Sequence, residues 1–279
     1  MVESIFQDIF NDNTSGSASV LIQVQNRLIE FAQNKETIGI SFLKDELEKV
    51  QGTFPQFAAM RHFIKSLEDE LITNTNESLS SDALISFTQN YKTSWKEYQA
   101  ALVDTMINEI DFNEKNILLH SMSSSVIVLF DRLSSSDMTP VLYHTETRPA
   151  FEGRIEATIL SNMGFKTNLI TDAFSTRLIN KIDFMVFGAD VVFADSFINK
   201  AGTMALTLLA KHFKKPIYVI ADKRKMVTSD MYDPEDIIAF RHEEIKPEKE
   251  IWSAANDKLS CINYYFEEIP LNHVTKLYV

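Results

Sequence analysis

The sequence predicts an α/β protein in two parts, an all-helical first domain over residues 1–112 and a doubly wound parallel sheet over 113–279. The change of periodicity along the chain carries this expectation, together with the shortness of the later apolar runs and the helix-like segments between them. In the first part apolar residues recur three and four apart: Val20, Val24, Leu28 and Phe31, then Leu43, Leu47 and Val50. Pro55 suits the first turn of a helix carrying Phe57, Met60, Ile64, Leu67 and Leu71. Ser81 and Asp82 can start a long helix with Tyr91, Trp95, Tyr98, Leu102 and Met106. These aromatic and methionine stripes read as core.

After Asn113 the texture changes. Ile117-Leu118-Leu119, Val141-Leu142-Tyr143, Asn168-Leu169-Ile170, Phe184 to Phe187, Ile217 to Ile220 and Ile262 to Phe266 are short apolar runs, as buried parallel strands are. Helix-like segments such as Gly153 to Met163 and Thr203 to Phe213 lie between them, which makes the sheet Rossmann-like. There is no internal repeat. The Ser-rich pieces at 121–125 and 134–136 are too short to be linkers.

Composition narrows the function. At 279 residues and 45% hydrophobic content the chain can bury a substantial core. A net charge of −12 with no basic patch argues against a nucleic-acid partner. The one cysteine, Cys261, can form no intramolecular disulfide and no cysteine-based metal site. No apolar run approaches a membrane span, and the acidic start lacks the basic opening of a signal peptide, so a cytoplasmic protein without a membrane partner is expected. Asn76-Glu77-Ser78 matches a glycosylation acceptor, which without a secretion signal has no use. The histidines show no ligand-like spacing, so no metal is expected. No cofactor is expected either, because G-x-G-x-x-G after the first strand and G-x-x-x-x-G-K-[ST] are both missing.

In an open parallel sheet, ligands bind beyond the carboxyl ends of the strands. His120 and Ser121 to Ser125 follow the first strand, where Ser123 and its neighbours either hold a phosphate or cap a helix. Arg148 follows the second, placed to fork onto an anion or to pair with Glu146 or Glu152. Asp190 follows Gly188-Ala189, and a carboxylate there binds sugar hydroxyls, acts as a general base or merely caps a turn. Asn199 and Lys200 precede an apolar helix, and Lys225 lies beyond the strand ending at Ile220. They form an anion site or are ordinary solvated groups.

The segments Thr145-Glu146-Thr147-Arg148-Pro149, Glu152-Gly153-Arg154, Gly188-Ala189-Asp190, Ile198-Asn199-Lys200 and Lys215-Pro216-Ile217-Tyr218-Val219, followed by Phe266 to Pro270 and Lys276-Leu277-Tyr278, resemble one family in order and spacing. It comprises the alpha, beta and delta subunits of the exchange factor for initiation factor two, with ribose-1,5-bisphosphate isomerase and methylthioribose-1-phosphate isomerase. The resemblance covers about residues 113–279 and extends weakly to Asp12 to Ser17, which brings in Gly16 as a ligand-loop residue. It implies a phosphosugar-type pocket between the domains, dimerisation through the second domain and, in the isomerases, a catalytic cysteine with the aspartate of Gly-Ala-Asp. Here the aspartate is Asp190 and the cysteine position falls on Ser121. Two phosphate-gripping arginines are also absent, one near Gly16 and one where Phe54-Pro55 stands. An unassisted serine hydroxyl does not ionise near neutrality. The expected function is therefore a regulatory-type protein binding a sugar phosphate or nucleoside monophosphate, as a homodimer or with other translation-factor subunits. The alternatives are an aldose-ketose isomerase working through Asp190 and a purely structural subunit.

Overall fold

The computed structural model describes residues 4–11, 16–73, 77–229, 231–242, 245–253 and 258–279; residues 12–15 of the N-terminal loop and Asn76 lie outside them. The chain divides into two compact units, Met1–Tyr98 and Gln99–Val279.

The first unit contains α1 (Gln7–Phe10), α2 (Ser17–Gln33), β1 (Thr37–Gly39), α3 (Ile40–Thr53), α4 (Ala58–Leu67), β2 (Ser78–Ser80) and most of α5 (Ser81–Glu109). The helical stripes meet as expected. Val24 and Leu28 of α2, Leu43 and Leu47 of α3, Phe63 and Leu67 of α4 and Tyr91 of α5 share one buried core. Pro55 is not in the first turn of α4 but in the turn before its Phe57 cap, where Phe54 stacks on Phe57 with ring centroids 5.2 Å apart. The helix runs on into a π-helical turn, Glu68–Ile72. β1 and β2 form an antiparallel pair between helices that apolar spacing did not reveal.

The second unit adds β3 (Asn116–Leu119), α6 (Ser124–Ser134), β4 (Val141–Thr145), α7 (Glu152–Asn162), β5 (Lys166–Ile170), α8 (Ser175–Leu178), β6 (Phe184–Phe187), β7 (Val191–Val192), β8 (Ser196–Lys200), α9 (Thr203–His212), β9 (Ile217–Ile220), α10 (Pro234–Arg241), β10 (Phe266–Pro270) and β11 (Lys276–Tyr278). Six strands form a parallel sheet in the order β11-β9-β6-β3-β4-β5. The chain winds outward from β3 through β4 to β5, then returns to β3's other side and winds outward through β6, β9 and β11. That is the doubly wound topology, with its switch point between β3 and β6. Side chains alternate across the sheet. Ile117 and Leu119 face one core with Leu129 and Leu133 of α6 and Leu160 of α7, while Leu118 faces the other with Leu206 and Ala210 of α9.

The run Ile262 to Phe266 is not a buried parallel strand. Ile262 is 77% exposed, and the strand begins only at Phe266, where β10 pairs antiparallel with β8. Between them the backbone is held one bond at a time: Lys246 N donates to Asn263 O and Ala201 N to Tyr265 O, both at 2.8 Å. Apolar composition was a poor guide there because the burial falls on Asn263, not on the isoleucine beside it.

Gly153 seats α7 on the end of β4. A Cβ there would lie 2.0 Å from the Thr145 carbonyl oxygen and 2.6 Å from Thr147 Oγ1, and the carbonyl is backbone that cannot swing aside. Gly153→Ala is expected to lower unfolding stability by at least about 1 to 3 kcal/mol, the cost of overpacking. An unchanged urea midpoint would show that α7 tolerates a shift off β4.

Candidate functional site

The carboxyl ends of β3 and β6 are neighbours, so the loops leaving them face one another across the switch point. The β3 loop carries His120, Ser121 and Ser123; the β6 loop carries Gly188, Ala189 and Asp190. A Cβ on Gly188 would lie 2.3 Å from Ser123 Oγ, so the bare α-carbon is what lets the two loops close on each other. Ser123 is buried, its Oγ has no hydrogen-bond partner, and it stands at the N-cap of α6 without making the usual side-chain cap. Of the two roles open to this serine, capping is therefore not the one in use.

Ser121 has a left-handed backbone, φ 71°, and is largely buried. Its N–H donates to Thr147 Oγ1 at 3.0 Å, and its Oγ lies 3.4 Å from Glu152 Oε1. The same carboxylate oxygen takes the Lys200 ammonium at 2.7 Å. Lys200 is 2% exposed. Burying an ammonium is costly unless it is paired, and Glu152 supplies the pairing charge.

Asp190 follows β6, its backbone N–H donating to the Ile198 carbonyl at 2.8 Å. Its carboxyl is pushed up from the usual aspartate range by burial, and the nearby ammonium groups of Lys225 and Lys200 oppose the rise. Lys225 is itself buried and donates to the Ala189 carbonyl at 2.6 Å. Ser121, Lys200, Lys225 and Asp190, spread over a hundred residues of chain, thus gather at one edge of the sheet.

Other expected residues take different places. Asn199 sends its side-chain amide to Thr203 Oγ1 at 3.0 Å, which ties the end of β8 to the start of α9. Arg148 is exposed, lies 4.7 Å from the Phe151 ring centroid and reaches the Ile251 carbonyl at 3.4 Å. It does not make either pairing considered for it: Glu146 pairs with Arg154 at 2.7 Å and Glu152 with Lys200. Gly16 is the N-cap of α2 in the first unit, with φ −69° and ψ 162°, an extended backbone open to any residue.

Sequence reasoning missed the supports. Glu152 and Glu156 lie four residues apart on one face of α7, and that spacing just after a strand end was the available signal. Glu156 is buried, accepts the Ser123 N–H at 2.6 Å and lies 3.7 Å from His144 Nε2. Burial pushes its carboxyl up, with the His144 contact pulling the other way. Thr147 and Arg148 are fixed from below, both backbone N–H groups donating to the Asp172 carboxylate at 2.8 Å.

His120 is committed through both ring nitrogens. A carbonyl can only accept, so Nε2 carries the hydrogen it gives to Ala201 O at 3.1 Å, and Nδ1 accepts from Thr145 Oγ1 at 2.6 Å. Burial drives this imidazole down to about 4, against the backbone bond to Ala201 and the attraction of Asp172. It is neutral near pH 7 and its acceptor nitrogen is occupied, so it is not placed to take a proton from Ser121. Among the described residues there is no group of three or more His, Cys, Asp or Glu that could hold a metal, and no helix is long and apolar enough to cross a membrane.

The profile of the initiation factor 2 subunit family matches residues 13–278. The chain belongs to that family. Translation initiation factor eIF2B subunit alpha of Dictyostelium discoideum is 30% identical over 148 residues, which are 53% of this chain and 45% of that protein. Ribose 1,5-bisphosphate isomerase of Archaeoglobus fulgidus is 28% identical over 135 residues, 48% of this chain and 43% of that protein. Each alignment thus spans less than half of the relative's length. Translation initiation factor eIF-2B of Pyrococcus horikoshii superposes with a TM-score of 0.74 at 20% identity, covering 98% of this chain and 93% of that one. The 5-methylthioribose 1-phosphate isomerase of the same organism gives 0.73 at 19% identity, with 99% and 82% covered. At these identities the superpositions establish the shared fold, and the family's two kinds of member, translation factor and isomerase, are alike in it.

The buried neutral His120 makes the fold acid-sensitive. Its folded value lies below the unfolded one, so the unfolded chain takes up a proton first as pH falls from about 6.5 towards 4, and stability drops across that window. The loss attributable to this residue is at most about 3 kcal/mol. Melting curves of His120→Asn should show a shallower decline than the unsubstituted protein between those pH values; parallel declines would remove His120 as the cause.

Proposed function

We propose that this chain binds a small phosphorylated molecule, a sugar phosphate or a nucleoside monophosphate, at the carboxyl edge of its sheet, and that it is a regulatory-type member of its family without cysteine-dependent isomerase chemistry. The observation that carries the reading is the meeting of Lys200 and Lys225 beside Asp190 at the switch point. Two buried ammonium groups suit an anion, and a buried carboxyl beside them suits the hydroxyls of a sugar. Ser123, buried with an unused hydroxyl at the start of α6, adds a further donor. Lys225 and Lys200 are proposed to hold the anionic group, Asp190 to bind a hydroxyl and Ser121 to line the pocket. Arg148 and Asn199 take secondary parts, Arg148 from the rim and Asn199 by fixing the turn after β8.

Against catalysis of the isomerase kind stands the chemistry at position 121. A serine hydroxyl needs an adjacent base to act near neutral pH, and the neighbouring imidazole is fully occupied. Favouring the second reading, an aldose-ketose isomerase, is Asp190 itself, because burial raises its carboxyl towards the range useful for general acid-base work.

Calorimetry with ribose 5-phosphate, glucose 6-phosphate and adenosine monophosphate is the direct test. Lys225→Ala should cost on the order of ten- to a hundredfold in affinity, as expected for a charge-assisted hydrogen bond of about 1.5 to 3 kcal/mol, whereas Lys166→Ala at the other end of the sheet should cost little. Equal affinity in the two variants would leave Lys225 an internal structural lysine. Robust turnover of ribose 1,5-bisphosphate or methylthioribose 1-phosphate by the unsubstituted protein would decide for the isomerase.

The assembly proposed is a homodimer formed through the second unit, with other translation-factor subunits as further partners. Supporting it is the oligomeric habit of the family: a solved relative is the tetrameric eIF2B-beta2-delta2 complex from C. thermophilum, TM-score 0.75 at 14% identity. Ile155, Leu169 and Leu208, each half-exposed, are apolar surface that an interface would cover. Light scattering at micromolar concentration should return the dimer mass or an even multiple, and a monomer would refute the assembly.

A further inference from the structure

The environment of Lys200 contains a group that neither the charge pairing nor the proposed ligand contacts account for. We infer that Tyr265 is a positioning residue for Lys200, its ring forming one wall that holds the ammonium where a ligand anion meets it; the inference rests on the reading of Lys200 as an anion-binding group.

The Lys200 Nζ lies 4.0 Å from the Tyr265 ring centroid and 2.7 Å from Glu152 Oε1, so the ammonium sits between a π face and a carboxylate. An ammonium has three N–H directions. Glu152 takes one and the ring covers another, which leaves one for a ligand oxygen. A desolvated cation over an aromatic face is attracted by the ring quadrupole, whereas an aliphatic wall of equal size would offer nothing in exchange for lost water.

The ring is built into its place. Its backbone carbonyl accepts the Ala201 N–H at 2.8 Å, which registers Tyr265 against the residue next to Lys200. Its hydroxyl donates to Glu250 Oε2 at 2.6 Å, and the Asn263 amide, 1% exposed, donates to the same oxygen at 2.9 Å. Asn263 also reaches the Pro247 carbonyl at 3.0 Å, so the segment carrying Glu250 is bound to the segment carrying Tyr265. A tyrosine anchored at both ends can hold the flexible four-carbon stem of Lys200 in one arrangement.

Two measurements on the full chain test this. In lysine-labelled protein the Lys200 ε-methylene, assigned by its loss in Lys200→Arg, should show an upfield ring-current shift that persists in Tyr265→Phe and in Tyr265→Leu and Tyr265→Met falls to the small remainder from the Phe266 ring, whose centroid lies 5.8 Å from the ammonium. Affinity for ribose 5-phosphate should fall about tenfold in the Leu and Met variants and by much less in Tyr265→Phe, the order expected for a desolvated cation–π contact. Two aliphatic variants guard against one failing to fold, and thermal melts identify the folded ones. An absent or unchanged ring-current shift overturns the inference without reference to any ligand. A shift reduced in this way with unchanged affinity overturns the positioning role, and so does a Phe variant as weak as the Leu variant, since the hydroxyl anchor and not the ring face would then matter. If the unsubstituted protein binds neither ribose 5-phosphate nor inorganic phosphate, the phosphosugar reading fails, and the ring-current result alone decides whether Tyr265 fixes the ammonium.

Discussion

The close approach of the Ser123 hydroxyl to the bare α-carbon of Gly188 is the contact on which the carboxyl edge of the sheet depends. It exists because β3 is the innermost strand of the winding and β6 the first strand on its other side, so that two loops separated by more than sixty residues leave the sheet side by side. With Gly188 reduced to backbone, the β3 loop can lie over the β6 loop, and both Ser121 and Asp190 are drawn into partly desolvated positions. Water is thereby thinned around the charges nearby, and burial raises the Asp190 carboxyl while Lys225 and Lys200 oppose the rise despite their scattered origins.

Within this edge the charges are matched. Lys200 is joined to Glu152, and Lys225 stands near Asp190 while it binds the Ala189 carbonyl. A buried ion without such a partner would oppose folding by several kcal/mol. The acids that complete the set come from α7 and from the β6 loop, so the integrity of the edge depends on α7 keeping its seat on β4. A second layer of bonds lies beneath: Asp172 on the 147–148 backbone, Glu156 on the Ser123 amide, and the Thr145 hydroxyl on His120.

Much of the fold was legible in the sequence. Buried parallel strands are apolar on both faces, so Ile117 to Leu119 and Phe184 to Phe187 declared themselves. The helical stripes did the same. Illegible were β7, too short at two buried valines to stand out, and the elements whose stability comes from pairing and not from apolar content: the β1–β2 ladder and β8 with β10, whose residues are largely polar or partly exposed. The strand-end rule named Ser121, Asp190, Lys200 and Lys225, which the fold brings to one edge, because position after a strand is a local property. It missed the pairing of Glu152 with Lys200, and neither acid weighed as a partner for Arg148 pairs with it, because pairing choices among several acids and bases near one edge are decided by three-dimensional reach. Tyr265 was hidden by the same logic, lying in a run whose apolarity suggested a strand.

Three residues around this edge, Ser121, Thr147 and Phe151, carry side chains while their backbones sit in the left-handed region, with φ of 71°, 61° and 61°. For an L-residue that region costs on the order of 1 kcal/mol or more relative to glycine, so the native state is held above the lowest energy this backbone could reach. Glycine at any of the three would relax the chain and at the same time delete something the edge uses: the hydroxyl beside Glu152, the Thr147 oxygen that receives the Ser121 amide, or the ring on which the Arg148 and Arg154 guanidinium groups lie. Stability and placement therefore pull in opposite directions at these positions. Glycine at all three positions would therefore be expected to give a chain that is easier to fold and an edge that has lost its hydroxyls and its aromatic rest for the arginines.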